Sequence, residues 1–120
     1  MAVRGVRGAT TADGNNRESI LSATRELLGS MLQANGIAIE DIASVWLTTT
    51  DDLNAEYPAV AARELGWTDV ALLCGHEMQV PHGLARCIRV LLLWNTDKRQ
   101  SEVKHIYLRD AVSLRPDRER

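Results

Sequence analysis

Cys87-Ile88-Arg89-Val90-Leu91-Leu92-Leu93-Trp94 is an apolar run of β-strand character that contains one arginine. Because successive side chains of a strand point to opposite faces, Arg89 shares a face with Leu91, whereas Val90 points the other way. Both faces are otherwise apolar, which predicts a strand covered on both sides and Arg89 in a low-dielectric wall. A guanidinium there needs a carboxylate or a ligand anion, unless it snorkels past the strand end.

A second strand with arginines is predicted at the start of the chain, over residues 3–9. It carries Arg4 and Arg7, which are three residues apart and therefore face opposite sides of a sheet. Only one of the two can lie on the same side as Arg89.

A long amphipathic helix is predicted after this strand, because seven residues form one stripe at helical spacing. These residues are Ile20, Leu21, Thr24, Leu27, Leu28, Met31 and Leu32. Asn15 and Asn16 are candidates for the N-cap, and Asn35-Gly36 ends the helix. The stripe indicates core packing and no cofactor role.

The remaining elements follow from alternation and from turn residues. Strands are predicted over residues 44–50, 70–74, 86–94 and 105–108, and a second helix over residues 58–66. Five strands and two main helices indicate an α/β or α+β fold around one sheet. So few helices leave part of the sheet for another subunit, which predicts a homo-oligomer.

Length and composition exclude several classes of protein. The 120 residues predict a single domain over 1–120, and the net charge of -2 argues against nucleic acid as a partner. No run is long and apolar enough for a secretory signal or a membrane span, so we expect a soluble, cytoplasmic protein. Cys74 and Cys87 form no CxxC pair and are predicted to be reduced thiols. No P-loop or dinucleotide fingerprint is present, so no cofactor is predicted.

The segment Cys74-Gly75-His76-Glu77 at the end of a predicted strand is a candidate site. Three ligand types in one short cluster are weak evidence for a metal, so none is predicted. His76 could activate the Cys74 thiol as a nucleophile, or Glu77 could accept a hydrogen bond from a ligand hydroxyl. An exposed glutamate beside a buried cysteine is the alternative without function. Together with the arginines and Tyr107, the inventory suits a small polyanion that carries a hydroxyl group.

Several motifs, in order along the chain, resemble the monofunctional, trimeric chorismate mutases of bacteria. They are Arg4-Gly5-Val6-Arg7-Gly8-Ala9-Thr10-Thr11, Tyr57-Pro58-Ala59, Arg63-Glu64-Leu65-Gly66-Trp67, Cys74, Glu77-Met78, Cys87-Ile88-Arg89-Val90, His105-Ile106-Tyr107-Leu108 and Leu114-Arg115-Pro116-Asp117. The resemblance covers residues 3–117. Each motif is weak by itself, but the ordered set is specific.

The resemblance implies a mixed five-stranded sheet, three chains that form a pseudo-α/β barrel, and an active site at each subunit interface. It implies the rearrangement of chorismate to prephenate on the route to phenylalanine and tyrosine, without cofactor or metal. By analogy, Arg89 reaches the ether oxygen, and Arg7 and Tyr107 hold the enolpyruvyl carboxylate. Glu77 and Cys74 are expected to bind the ring hydroxyl, and Glu77 to favour positive charge on the ring.

Further positions match those that line the substrate site of this family. They are Leu72, Leu73, Gly75, His76, Leu114 and Arg115, with Tyr57, Ala59 and Arg63 from the neighbouring subunit. A flexible tail over residues 115–120 is expected. Val60 departs from the lysine that is frequent in the family, and Tyr57 from phenylalanine. An imine or enamine deaminase of similar trimeric fold, or a non-catalytic module that binds an aromatic-pathway acid, are the alternatives.

Overall fold

The computed structural model describes residues 2–114, in which five strands form one mixed sheet. The strands are β1 (Ala2–Thr11), β2 (Ile42–Thr49), β3 (Ala71–His76), β4 (Cys87–Thr96) and β5 (Ile106–Tyr107). The helices are α1 (Arg17–Asn35) and α2 (Ala59–Glu64), with short 3-10 turns at Ile39–Asp41, Gln100–Glu102 and Arg109–Leu114. The predicted sheet and both main helices are therefore confirmed. The tail over residues 115–120, with Arg115, lies outside the described residues.

The apolar run that contains Arg89 forms the central strand. The order across the sheet is β3-β2-β4-β1-β5, with β4 antiparallel to both of its neighbours. The edge strands β3 and β5 run parallel to β2 and β1. A central antiparallel strand with parallel edges is the mixed sheet that was expected.

Helix α1 begins and ends at the predicted asparagine and glycine. The side chain of Asn16 accepts a hydrogen bond of 2.8 Å from the backbone N–H of Ser19. Gly36 ends the helix in the left-handed region, at φ 68°, where glycine is favoured. The buried Asn35 donates to the carbonyl oxygens of Met31 and Lys104, and so ties the helix to the segment before β5.

The two helices cover one face of the sheet, which we call the helix face. Its core consists of buried aliphatic and aromatic side chains from the strands and from both helices. They include Val6, Leu27, Leu28, Met31, Val45, Leu47, Ala62, Trp67, Val90, Leu92 and Trp94. Gly8 allows α1 to approach β1, because a Cβ atom at this position would collide with the Met31 sulfur and lie 3.1 Å from Leu27 Cδ1.

We expect the substitution Gly8→Ala to lower the free energy of unfolding by about 1 to 3 kcal/mol, because it overpacks this contact. Urea unfolding at fixed protein concentration measures the change. Gly29→Ala is the matched control, since no atom lies within 4 Å of the added methyl group in the exposed middle of α1. The control is expected to raise the free energy of unfolding by about 0.5 to 1 kcal/mol. Equal effects of the two substitutions would contradict the close approach at Gly8.

The opposite face, which we call the open face, receives neither helix. Large apolar side chains on it are exposed: Trp46 is 50% exposed, Leu73 52% and Leu91 41%. The side chain of Arg89 is also 50% exposed. In a single chain, the prediction that β4 is covered on both faces is therefore wrong. Both helices pack on the helix face, and Arg89 is left half exposed on the open face. Within the described residues, neither helix has the length and apolar character needed to cross a bilayer.

Candidate active site

A row of aligned residues crosses all five strands on the open face. Arg89 on β4 pairs with Thr48 on β2 and with Ala9 on β1. Thr48 in turn pairs with Gly75 on β3, and Ala9 with Tyr107 on β5. Because paired residues point to the same face, the small side chain of Ala9 leaves room on one side of Arg89, and Thr48 lies on the other side. The result is a cleft of about 320 Å³, which we call the open-face cleft.

Charged and aromatic side chains surround this row. Arg7, Trp46, Glu77, Tyr107 and Leu114 line the cleft together with Arg89. The guanidinium of Arg7 forms no ion pair with a carboxylate among residues 2–114. Its backbone N–H donates to His105 Nδ1 at 3.0 Å. Two arginines against one carboxylate make the open-face cleft a site for an anion.

Glu77 contributes a carboxylate to the open-face cleft, and three contacts hold this residue in position. Its backbone N–H donates to the carbonyl of Thr49 at 2.8 Å, just beyond the end of β3. One carboxylate oxygen, Oε2, accepts a hydrogen bond from the hydroxyl of Thr48. The other oxygen, Oε1, lies 3.7 Å from Arg89 Nε. Glu77 thus faces Arg89 without a direct hydrogen bond to its Nε.

A second cleft, of about 450 Å³, lies on the other side of β3, and we call it the helix-face cleft. Its lining includes Glu56, Tyr57, Cys74 and His76. The ring nitrogen Nδ1 of His76 lies 3.1 Å from the hydroxyl of Thr49. Cys74 and His76 therefore share a face, as the sequence suggested.

The chemistry of Cys74 does not fit a nucleophile. Burial raises the pKa of this thiol above its usual range, although the backbone of Ala59 and the charge of Arg63 act in the opposite direction. At neutral pH the thiol is protonated, and the protonated form is a poor nucleophile. A neutral thiol can still donate or accept a hydrogen bond.

The candidate site residues predicted from the sequence are distributed over the two clefts. Arg7, Glu77, Arg89, Tyr107 and Leu114 line the open-face cleft, whereas Tyr57, Cys74, Gly75 and His76 line the helix-face cleft. Ala59 and Arg63 lie on α2, Leu72 packs partly buried on the helix face, and Leu73 is exposed on the open face.

The side chains of Cys74 and Glu77, which were expected to bind one hydroxyl group, lie on opposite faces of the sheet in a single chain. Cys74 points to the helix face because it pairs with the core residue Leu47. Glu77 follows the strand end and turns back toward Thr48 and Arg89 on the open face.

Thr48 and Trp46 are two cleft residues that the sequence alone did not indicate. Alternation placed both on the same face of β2, but their proximity to Arg89 depends on the register between β2 and β4. No group of three or more metal-binding side chains occurs among residues 2–114.

Comparisons with known proteins show which family the chain belongs to. The family model described as chorismate mutase type I matches residues 3–118. Chorismate mutase AroH of Thermus thermophilus is 54% identical over 118 residues, which cover 98% of this chain and 97% of that protein. Chorismate mutase AroH of Bacillus subtilis (strain 168) is 44% identical over 98% of this chain and 93% of its own length. A solved chorismate mutase from Clostridium thermocellum superposes with a TM-score of 0.90 at 45% identity, covering 92% of this chain and 98% of that structure. The chain belongs to the type I chorismate mutase family.

Proposed function

We propose that this chorismate mutase binds chorismate in the open-face cleft, with Arg89 at the ether oxygen, and completes the site with the helix-face cleft of a neighbouring chain. The observation that carries the proposal is the half-exposed Arg89 in the centre of the sheet, between Ala9 and Thr48 and beside a second arginine. The enzyme is an isomerase that converts chorismate to prephenate. In this unimolecular step the ether C–O bond breaks and a C–C bond forms, with no net transfer of a proton or an electron.

Such a reaction sets the protein two tasks. The flexible dicarboxylate must be held in the compact chair in which the reacting carbons meet, and this is a positioning task. As the C–O bond lengthens, negative charge grows on the ether oxygen and positive charge on the ring, and fixed charges can stabilise both. A nucleophile is not needed, which agrees with the protonated thiol of Cys74.

Arg89 and Glu77 suit the electrostatic task. A guanidinium keeps its charge at all physiological pH values and can direct several N–H donors at the ether oxygen. Glu77 lies on the other side of the developing dipole, where its carboxylate accepts a hydrogen bond from the ring hydroxyl and favours the positive charge on the ring. The 3.7 Å separation of the two groups leaves both available to the substrate.

Arg7 and Tyr107 suit the positioning task. The Arg7 guanidinium has no carboxylate partner among the described residues, so a substrate carboxylate can pair with it in bidentate geometry. Tyr107 ends the row on β5 and can donate its phenolic hydroxyl to the same carboxylate. Leu114 lies at the rim of this cleft, directly before the tail that carries Arg115.

Residues of the helix-face cleft supply the other half of the proposed site. Arg63 is exposed on α2 close to Cys74, and its guanidinium makes no ion pair with a carboxylate within residues 2–114. From a neighbouring chain it would pair with the second carboxylate, while Cys74 would reach the ring hydroxyl beside Glu77. Tyr57, Ala59, Leu72, Gly75 and His76 would form its wall, whereas Leu73, which is exposed on the open face, would belong to the interface around the site.

The open face supports the proposed homotrimer. Trp46, Leu73 and Leu91 are exposed there in a single chain, and contiguous apolar surface of this kind is typical of subunit interfaces. Contact between the open face of one chain and the different helix-face cleft of the next is heterologous. Heterologous contacts form a ring when the rotation between successive chains closes, and a trimer is the smallest such ring.

The test is direct, because the conjugated diene of chorismate absorbs in the ultraviolet and is lost in prephenate. We expect the purified protein to remove this absorbance without added metal or cofactor and to form one equivalent of prephenate. Ammonia released from an imino acid, with chorismate untouched, would favour a deaminase. Binding of chorismate without turnover by the folded protein would favour a binding module, and either result would contradict the proposed function.

A further inference from the structure

Thr48 occupies the position in the row between Arg89 and Gly75, and its hydroxyl donates to Oε2 of Glu77. We propose that Thr48 is a positioning residue for the reaction, which holds the Glu77 carboxylate back from Arg89 so that the guanidinium stays free for the ether oxygen. This inference rests on the roles proposed above for Glu77 and Arg89.

The need for such a restraint follows from the charges. A carboxylate and a guanidinium in direct contact form hydrogen bonds of about 2.7 to 2.9 Å and occupy the donors of the arginine. Arg89 Nε lies 3.7 Å from Glu77 Oε1, so the pair stops short of that contact. If Glu77 moved into it, Arg89 would be neutralised before the substrate could use it.

Two tethers on β2 hold Glu77 in place. The backbone N–H of Glu77 donates to the carbonyl of Thr49 at 2.8 Å, which fixes the start of the side chain. The hydroxyl of Thr48 then fixes its end. The Glu77 side chain is 23% exposed, so water does not fully replace the hydroxyl as a donor.

Thr48 is the first of three consecutive threonines, and the hydroxyl groups of the other two have different partners. The hydroxyl of Thr49, on the helix face, donates to the carbonyl of Leu53 at 3.2 Å. The hydroxyl of Thr50 donates to the carboxylate of Asp52 at 2.5 Å. Only Thr48 of the three lines the open-face cleft.

A double-mutant cycle tests the inference. Thr48→Val keeps the shape and the strand preference and removes the donor, and we expect it to lower kcat about tenfold, with KM changed about twofold at most. Thr48→Ser keeps the donor and should retain most of kcat. In the Glu77→Gln background, Thr48→Val should have little further effect, because no carboxylate remains to be restrained. Thr68→Val, at an exposed turn position before β3, is the matched control and should leave both constants unchanged.

Circular dichroism and oligomeric state establish that each variant is folded, and Thr48→Ala serves as a second donor-free variant if Thr48→Val is not. An equal loss of kcat in both Glu77 backgrounds, or a loss that Thr48→Ser shares, would mean a packing role and overturn the inference. If Glu77→Gln alone left kcat unchanged, the inference would fail together with the role of Glu77. Turnover of chorismate by the unsubstituted protein would still stand, so the two failures are distinguishable.

Discussion

Replacement of Arg89 by alanine is expected to lower kcat by about two to three orders of magnitude, with a much smaller change in KM. The reason is that the contact to the ether oxygen strengthens as charge develops on that atom, so its loss raises the transition state more than the bound substrate. Loss of one such fixed donor typically costs about 3 to 4 kcal/mol. Steady-state kinetics of prephenate formation separate the two constants.

Arg89→Lys should recover little of this activity. An ammonium keeps the charge but lacks the planar fork of donors, and its flexible stem has no fixed direction toward the cleft. The matched control is Arg4→Ala, since Arg4 lies on β1 with its Nε donating to the carbonyl of Lys98 at 2.9 Å, away from the cleft. We expect the control to keep kcat unchanged. An Arg89→Ala variant with unchanged kcat and a raised KM would show that Arg89 only binds the substrate.

Local sequence rules predicted the strands and helices because neighbouring residues determine them. Alternation alone placed Arg89 and Val90 on opposite faces of β4, and the N-cap at Asn16 and the stop at Gly36 are short-range signals. The contribution of Thr48 depends on its pairing with Arg89, which is 41 residues away in the sequence. The register between β2 and β4 in the folded sheet brings the two residues together. No local pattern reports that register.

The exposure of Arg89 and the orientation of Cys74 are explained together by the proposed intersubunit site. Arg89 is half exposed and Cys74 points away from Glu77, and in the proposed site a second chain would supply the rest of the environment of each. The apolar open face of β4 predicted a cover, and neither helix within residues 2–114 forms it. Alternation in a single chain shows that a face is apolar, but it cannot show which molecule covers it.

The proposed division of the site between two chains predicts that two impaired variants restore each other. Arg89→Ala removes the open-face half, and Arg63→Ala removes a cation of the helix-face half. We expect Arg63→Ala to lower kcat/KM about tenfold or more, because it loses a charge-assisted hydrogen bond to a carboxylate. In an oligomer of either variant alone, every proposed site lacks one of the two arginines.

Mixed oligomers behave differently if each site joins two chains. When the variants are unfolded and refolded together in equal amounts, about one quarter of the interfaces combine an intact Arg89 from one chain with an intact Arg63 from the next. We therefore expect kcat/KM of the mixture to reach about one quarter of the unsubstituted value, well above the mean of the two variants refolded separately. Mass measurement by light scattering, made on the same samples, establishes whether the rings contain three chains.

A matched mixture separates complementation from a general benefit of refolding. In a double variant that carries both substitutions, refolded with the Arg89→Ala chain, no interface contains an intact Arg89, so no recovery is expected. If the first mixture also stayed at the mean of its components while forming mixed oligomers, both halves of each site would belong to one chain. Because Cys74 and Arg89 point to opposite faces of the same sheet, that result would require a rearrangement of β3 against β4, and the proposed intersubunit site would be wrong.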